Sequence, residues 1–343
     1  MKKILIFISL VLLISGCTKT KDKDVLNEIN NKVSSSKSYR LIATLEIYRN
    51  EEKFTYDVES SYMKGDYFKV SLTNKSNNHK QIILKDKNSV YVLTPSLNKS
   101  FKFQSEWPYN NSQIYLLQPI LNDIAEDKNS TFEENEKGYI ITSKVNYSTE
   151  SNFVKQKITI DKEKNIQKVE ILDNEDNIKM TLKIINIEYN FEFDDDYFNV
   201  EKYQIKEEKD NADKDNDKLD EKQLQNNDMQ SSTVEEILYP MYVPVDTYLT
   251  SQDVVTTEEG ERVILTFSGE SNFTFVQENL TNQKELEYVY GDPYLILDTV
   301  GAITDYSVSW ISNGIEYSIM SDAMSVDELL VVAQSITVQL AGK

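Results

Sequence analysis

The sequence predicts a mainly β protein, with a half-open, highly curved antiparallel sheet around a helix, followed by a smaller α+β domain. Three observations predict this fold. Apolar and polar residues alternate in many short runs, turn-forming residues separate the runs, and no segment alternates strand with helix as a parallel sheet requires. The first two runs cover Tyr39 to Ile47 and Phe54 to Tyr62.

Further alternating runs continue this pattern through the first two hundred residues. They lie at Phe68–Leu72, Val90–Thr94, Phe101–Phe103, Tyr139–Val145, Val154–Ile160, Ile166–Leu172 and Ile178–Ile184. Turn residues such as those at 161–165 and 173–177 lie between them. We therefore expect successive runs to pair as an antiparallel meander.

Two segments of this region have helical spacing instead. One contains apolar residues at Leu117, Ile120, Leu121 and Ile124. Pro119 is early enough to start a helix, so residues 112–126 are predicted to cover one opening of the curved sheet. A shorter helix is predicted over Val25 to Val33.

The C-terminal region contains a hairpin signal and a helix signal. Two alternating runs flank Asn313-Gly314, a pair that supplies the positive φ angles of a two-residue hairpin turn. Ser325 and Glu328 then form a capping box ahead of an apolar helix. Strands at Arg262–Ser268 and Asn272–Gln277 are expected to complete this sheet.

The N-terminus has the features of a lipoprotein signal peptide. Lys2 and Lys3 precede an apolar run from Ile4 to Ile14, which is shorter than the ~20 residues of a spanning helix. The run ends in Leu-Ile-Ser-Gly before Cys17, which resembles the bacterial lipobox. The sequence therefore predicts cleavage before Cys17, lipid on its thiol, and anchoring on the outer face of the cytoplasmic membrane.

Charge and composition predict how the rest of the chain is divided. Residues 18–205 contain 27 basic and 30 acidic side chains, residues 206–232 contain 5 and 9, and residues 233–343 contain 3 and 18. The middle stretch has almost no apolar residues and cannot offset its chain entropy by burial. We predict a tether over 18–24, a β domain over 25–205, an acidic disordered linker over 206–232, and an acidic α+β domain over 233–343.

This charge distribution restricts the partners. Binding to nucleic acid requires clustered Lys and Arg, so nucleic acid is not an expected partner. The acidity of residues 233–343 favours either simple solubility or a basic protein partner. Contact with the membrane is expected through lipid on Cys17 and not through attraction to anionic lipid.

No catalytic, cofactor or metal site is predicted. His79 is the only histidine and lies in a polar turn at 74–80, and Cys17 is the only cysteine, so the sequence assembles neither a usual zinc ligand set nor a Ser-His or Cys-His pair with a positioned base. Hydrolysis by carboxylates alone stays an alternative, although the spacing of the 57 acidic residues selects no pair of them. A calcium-like run at 213–224 has Lys218 where the loop needs glycine and Leu224 where it needs a bidentate glutamate. We therefore expect a protein that is not an enzyme.

An aromatic groove is a further hypothesis. The chain has 21 Tyr, which fits either strand-rich composition or a groove able to hold an acyl chain, a peptide or a glycan. The residues predicted to line such a groove are Trp107, Tyr109, Leu117 and Leu121.

The first two hundred residues also resemble a known family. The resemblance lies in an N-terminal helix leading into Ser38-Tyr39, in Tyr91–Pro95 followed by Lys99–Phe101, and in Phe191–Asp194 running to Val200. Residues 25–203 resemble the LolA/RseB superfamily of half-open barrels, and in particular the GerS/YdcC-like lipoproteins of spore-forming Gram-positive bacteria.

Residues of the C-terminal hundred positions resemble a domain of unknown function found in YdcC-like sporulation lipoproteins. The matching positions are Trp310, Gly314, Tyr317, Ser325–Leu330 and Ala333–Ile336. Together the two resemblances imply an accessory lipoprotein that binds a protein partner in sporulation or germination, such as a cell-wall hydrolase acting on cortex peptidoglycan. The alternative they imply is a carrier or sensor of a lipid or acyl ligand.

The lipid anchor can be tested directly on the native protein. Mass spectrometry should find a chain that begins at Cys17 and carries acyl chains, because the peptidase cuts before the modified cysteine. An unmodified thiol, or a cytosolic chain that still begins at Met1, would contradict the prediction.

Overall fold

The structure is a computed structural model that describes part of the chain. The described residues are 18–49, 52–87, 89–95, 99–110, 112–147, 153–203, 234, 237–257, 260–279, 286–296, 299–312 and 314–336. They form two compact units. The first unit contains the residues up to Asp66 and Pro108–Phe193, and the second contains Tyr67–Trp107 and the residues from Asp194 onward.

Strands far outnumber helices, which confirms the predicted mainly β class. In chain order the elements are α1 Thr18–Ser35, β1 Ser38–Arg49, β2 Glu52–Met63, β3 Tyr67–Asn74, β4 Lys80–Asp86, β5 Ser89–Thr94, β6 Lys99–Phe103, α2 Leu117–Glu126, β7 Thr131–Asn135, β8 Gly138–Lys144, β9 Lys155–Asp161, β10 Ile166–Leu172, β11 Ile178–Tyr189, β12 Thr247–Thr257, β13 Gly260–Gly269, β14 Phe273–Asn279, β15 Leu286–Val289, β16 Asp292–Ile296, β17 Thr299–Ile303, β18 Ser307–Ser312, β19 Ile315–Met320 and α3 Val326–Gln334.

In the first unit an antiparallel sheet curves around α2. The strand order is β2-β1-β11-β10-β9-β8-β7. Ser60 on β2 donates to the carbonyl of Tyr115 at 2.7 Å, and Gln156 on β9 donates to the carbonyl of Ile120 at 3.0 Å. Three strands separate β2 from β9, about 19 Å across a flat sheet. Because both strands reach one short segment, the sheet must bend around it, and register shifts in three of its strand pairs favour the bend.

Both predicted helices of this unit are confirmed, with different starts. The helix predicted over Val25 to Val33 is described over Thr18–Ser35 and so includes the stretch predicted as a tether, where no glycine or proline interrupts it. Val25, Ile29 and Val33 form its buried face. The helix predicted over 112–126 begins only at Leu117.

The later start of α2 has a local cause. The backbone N–H of Ser112 donates to the carbonyl of Asn146 at 2.8 Å, and Leu116 is extended at the N-cap, with φ −124° and ψ 131°. Residues 112–116 are thus held against the loop after β8 and cannot join the helix.

The second unit contains two sheets. One has the order β15-β6-β5-β4-β3, in which β15 and β6 pair in parallel. The other is a seven-stranded antiparallel sheet of order β12-β13-β14-β19-β18-β17-β16. The predicted hairpin is confirmed, with Ser312 opposite Ile315 and Gly314 at φ 78°. The predicted capping box of Ser325 and Glu328 is confirmed at the start of α3.

One face of β3 to β5 is covered by residues from the C-terminal half of the chain. Gln81 on β4 donates to the carbonyl of Val300 at 3.0 Å and accepts from the N–H of Val300 and the hydroxyl of Thr299. The ammonium nitrogen of Lys69 on β3 lies 3.9 Å from the ring centre of Tyr197. This cover buries β4 on both faces. For that reason its buried residues form a continuous run and do not alternate with exposed ones.

The compact units group residues differently from the predicted domains. Residues 67–107, which lie inside the predicted domain 25–205, group with the C-terminal residues. The predicted linker 206–232 and the positions on either side of it, 205 and 233, lie outside the described residues. The division into domains therefore stays a prediction.

Because Gln81 makes these hydrogen bonds, replacing its side-chain amide should lower the free energy of unfolding substantially. Gln81→Met keeps the side-chain volume but leaves the N–H and carbonyl of Val300 unpaired in a buried site, at about 1–3 kcal/mol each. We expect urea denaturation to show a loss of about 2–4 kcal/mol, with faster hydrogen exchange at the Val300 amide. Gln104→Met, at an exposed position of the same unit, should change stability by less than about 0.5 kcal/mol. Equal stability of the two variants would contradict the prediction.

Candidate partner-binding surface

A segment between Leu238 and Val245 leads into the edge of the seven-stranded sheet. Gln277 on β14 is fully buried and accepts from the N–H of Leu238 at 2.9 Å while it donates to the carbonyl of Leu238 at 2.9 Å. Leu238 itself packs into the core formed with α3. The side chain of Gln277 thus replaces a neighbouring strand and fixes where the segment crosses the sheet.

Further hydrogen bonds hold the same segment to α3 and β12. The N–H of Met241 donates to the carbonyl of Ser335 at 3.2 Å, and the N–H of Tyr242 donates to the Ser335 hydroxyl at 3.1 Å. Tyr239 donates its hydroxyl proton to the side-chain carbonyl of Gln252 on β12 at 2.7 Å. Because the backbone is tied on both sides, its apolar side chains are presented in fixed positions.

Exposed apolar side chains are concentrated in this segment and along β12. Met241 is 77% exposed, Val245 79% and Tyr248 66%. We call this surface the apolar edge, and its exposed members are Tyr239, Met241, Tyr242, Val245, Tyr248, Leu249, Val254 and Val255. Soluble proteins rarely leave such large apolar side chains clustered in water, and clusters of this kind commonly mark protein interaction sites.

Strand β12 lies at the end of its sheet, as β7, β15 and β16 do among the described strands. It differs from these three strands in length and composition. β7 has five residues including Glu133 and Glu134, β15 has four residues, and β16 has five with Pro293 among them. Short length, charge and proline are the usual protections of a free edge. β12 has eleven residues, no proline and a single charged side chain, Asp253, followed by two exposed valines, so it is the least protected of these four strands.

Acidic side chains surround the apolar edge. Asp246 precedes β12, Asp253 lies within it, and Glu261 and Glu270 lie at the two ends of the neighbouring strand β13. Residues 233–343 contain only Arg262, Lys284 and Lys343 as basic side chains. The electrostatic potential at this surface therefore favours a basic partner.

The residues predicted to line an aromatic groove do not form one exposed surface. Trp107, Leu117 and Leu121 are buried, whereas Tyr109 is exposed and donates its hydroxyl proton to Asp66 at 2.9 Å. Leu117 and Leu121 lie on the face of α2 that packs against the sheet. A ligand would reach these side chains only after α2 moved, so the groove stays a prediction.

Exposed tyrosines occur at a second place in the same unit. Tyr288, Tyr290 and Tyr306 line a cleft of about 460 Å³ that also contains Asp305. Tyr288 is 68% exposed and its ring centre lies 5.5 Å from the ammonium of Lys102. The unit thus presents aromatic side chains in two places, and those of the apolar edge lie on or next to β12, the long strand at the end of the sheet.

The apolar edge was not predicted from the sequence. The signal present was the run Tyr-Pro-Met-Tyr-Val-Pro-Val at 239–245, in which two prolines exclude a regular helix and most other residues are apolar. Such a run is equally typical of a buried extended segment, so the sequence alone could not show its exposure.

Several other predicted features lie outside the apolar edge. Cys17 and the calcium-like run at 213–224 lie outside the described residues. The acidic run Asp194–Asp196 lies in successive turns, where Asp196 pairs with Lys202 at 2.6 Å. Among the residues the structure describes, no three acidic, histidine or cysteine side chains gather as metal ligands would. The helices found there are too short or too polar to cross a membrane.

Asp123 on α2 is a buried carboxylate between two polar clefts. The clefts have volumes of about 310 and 380 Å³, and both are also lined by Glu126 and Asn146. Ser112 donates its hydroxyl proton to Asp123 at 2.8 Å. Burial nevertheless raises the pKa of Asp123 to about 6, with Glu126 adding to the rise.

This raised pKa predicts the direction of a pH effect on stability. A carboxyl whose pKa is higher in the folded chain stabilises the fold below its unfolded pKa and loses that contribution as the pH rises through about 6. Asp123→Asn should therefore match the parent near pH 4 and exceed its free energy of unfolding by about 2 kcal/mol above pH 7.

Urea denaturation at pH 4 and pH 8 checks this effect. Glu136→Gln removes an exposed carboxyl of the same unit that does not act on Asp123, and this control should show no comparable gain at pH 8. The prediction is wrong if the difference in free energy of unfolding between Asp123→Asn and the parent is no larger at pH 8 than at pH 4.

Comparison with known proteins gives one strong relationship in sequence. The chain is 31% identical over 329 residues to the "Sporulation protein YdcC" of Bacillus subtilis, covering 95% of this chain and 93% of that protein. No protein-family model matches the chain.

Comparison with solved structures gives weaker likenesses. One is the CwlD amidase of Clostridioides difficile in complex with the GerS lipoprotein, at 18% identity and TM-score 0.29, covering 50% of this chain and 95% of the matched one. Another is the MucA/MucB complex of Pseudomonas aeruginosa, at 10% identity and TM-score 0.32, covering 93% and 100%. A putative outer membrane lipoprotein-sorting protein domain of Vibrio parahaemolyticus matches at 11% identity and TM-score 0.33, covering 53% and 97%.

The relationship in sequence extends through both compact units and across nearly the whole length of the B. subtilis protein. It agrees with the resemblance found in the sequence of both halves. This chain belongs to the family of the sporulation protein YdcC.

Proposed function

We propose that this chain is a non-catalytic lipoprotein that binds a protein partner during sporulation or germination. The description of its B. subtilis relative as a sporulation protein supports the setting. The observation that carries the proposal is the apolar edge, a fixed apolar surface along β12, whose second edge pairs with no other described strand. A surface of this kind is stabilised by covering it with another protein.

The energetics favour a protein over a small molecule at this surface. Burial of an exposed Val, Met or aromatic side chain contributes about 1.5–3 kcal/mol, and eight such side chains extend over the segment and strand. Stable protein interfaces bury about 800 Å² on each partner. A surface of this extent fits that size, whereas a small ligand would leave most of it in water.

The proposed anchor would place the apolar edge outside the membrane. In our proposal, acyl chains on Cys17 hold the N-terminus at the outer face of the cytoplasmic membrane. The acidic C-terminal region, with 18 acidic and 3 basic side chains, would be repelled by an anionic lipid surface. The apolar edge would then remain available to partners in the extracytoplasmic space.

The resemblance to GerS gives the partner's class within this proposal. A cell-wall amidase acting on cortex peptidoglycan is the first partner to test, and other sporulation proteins are the next. The lipid-carrier alternative has less support, because side chains from 114–124 already fill the interior of the first unit. The buried ones are Ile114, Leu116, Leu117, Ile120, Leu121 and Ile124. An acyl chain would have to displace them.

Crosslinked recovery of partners tests this proposal. The tagged full chain would be isolated from membranes of sporulating cells after crosslinking, and co-purified proteins identified by mass spectrometry. Combined Met241→Ser and Tyr248→Ser should reduce recovery of the partner at least about tenfold, because each truncation at the centre of an interface costs about 1 kcal/mol or more.

The matched control is Tyr288→Ser, since Tyr288 has almost the same exposure as Tyr248 and lies in the same unit. It should leave recovery unchanged, and immunoblots should show equal amounts of all three chains in the membrane. Equal recovery with the parent and the double variant would contradict the proposal. Extraction of stoichiometric lipid, with no protein recovered, would favour the carrier.

A further inference from the structure

Asp253 lies in the middle of the exposed strand β12. It is opposite Ile264 on β13 and is followed by the exposed Val254 and Val255. Its carboxylate accepts a hydrogen bond from the Ser251 hydroxyl at 2.5 Å. Within the described part of the chain no lysine or arginine forms an ion pair with it. A charge in this position affects any strand that pairs with β12.

The regular part of β12 is long enough to accept another strand. The register with β13 shifts between Leu249 and Ser251, and from Ser251 to Thr257 the pairing is continuous. Side chains on both faces of this run are exposed, because Gln252 and Val254 point to one face and Asp253 and Val255 to the other. An added strand would therefore gain backbone hydrogen bonds and side-chain contacts on both faces.

Charge decides which kind of strand would pair there. Directly opposite side chains in an antiparallel pair have Cβ atoms about 4.5–5.5 Å apart, so a Lys or Arg opposite Asp253 is favourable and an acidic residue is not. The same charge opposes a second copy of this chain, because antiparallel self-pairing near Asp253 brings two acidic strands together. The excess of 15 acidic over basic side chains in residues 233–343 adds to that repulsion.

We infer that the partner binds by adding a β-strand to β12, with apolar residues alternating around a Lys or Arg that pairs with Asp253. This inference rests on the proposed function and specifies its partner: an extended, basic segment of another protein. Asp253 gives selectivity, since it attracts a basic strand and rejects acidic strands and a second copy. The valines beside it supply the apolar contacts.

Synthetic peptides test the inference on the detergent-solubilised full chain. The first probe is a fluorescent nine-residue peptide of alternating threonine and valine with a central lysine. The second has glutamate in place of the lysine, and the third is the lysine peptide with N-methyl groups on alternate residues. N-methylation removes the N–H donors of one edge and leaves the side chains unchanged.

Fluorescence anisotropy at low salt should show the lysine peptide binding at least about tenfold more tightly than the glutamate peptide. N-methylation should weaken its binding at least as much, because strand pairing requires the donors. Asp253→Asn should abolish the preference for lysine, and Asp253→Lys should reverse it. Asp305→Lys changes the net charge equally at an exposed loop of the same unit and should preserve the preference.

Three results would overturn the inference. They are equal binding of the lysine and glutamate peptides, binding that N-methylation does not change, and a dimer of the parent chain that Asp253→Lys abolishes. Its failure is distinguishable from failure of the proposed function. If Met241→Ser with Tyr248→Ser loses the native partner while the peptides show no preference, only the strand-addition inference fails. If the double variant keeps its partner, the proposed function fails as well.

Discussion

The buried amide of Gln81 is the contact on which the arrangement of the second unit depends. Its side chain pairs with both the N–H and the carbonyl of Val300, as a neighbouring strand would. Buried peptide groups must be hydrogen-bonded, and an unpaired one costs more than a made bond contributes. Because one side chain meets both requirements, strand β17 can cross β4 without joining its sheet. The outer face of β4 is then buried, and residues 299–300 are fixed upon it.

A second consequence concerns the sheet edges. Before it reaches β17, the chain forms β15, which pairs in parallel with β6 over four residues. The molecule thus adds one of its own strands to the edge that β6 would otherwise leave open. The seven-stranded sheet has no such cover at β12 among the described residues. The side chain of Gln277 bonds the N–H and carbonyl of Leu238 in the same way that Gln81 bonds those of Val300. The segment held by Gln277 crosses the sheet, however, and does not cover the edge of β12.

The elements predictable from the sequence were those whose signals are local. Alternation over Tyr39 to Ile47 specifies β1 because one face of that strand is buried and the other is not. The Ser325 capping box starts α3 because its hydrogen bonds lie within four residues. β4 was missed because a run buried on both faces does not alternate. β15 to β17 were missed because their pairing depends on residues far away in the sequence, such as Ser100 opposite Leu286.

The candidate surface was less predictable than the fold, for a physical reason. An apolar side chain has the same local pattern whether it packs in a core or faces solvent, and only the rest of the chain decides between them. Trp107 and Leu117 were expected at a groove and are buried, whereas Val245 and Tyr248 were not singled out and are exposed. Charge was more informative, because acidic side chains remain at the surface in nearly every fold. The excess of acidic residues after position 233 fits either solubility or a basic partner when only the sequence is considered. The structure adds the exposed strand that carries Asp253, at which our inference places a basic partner.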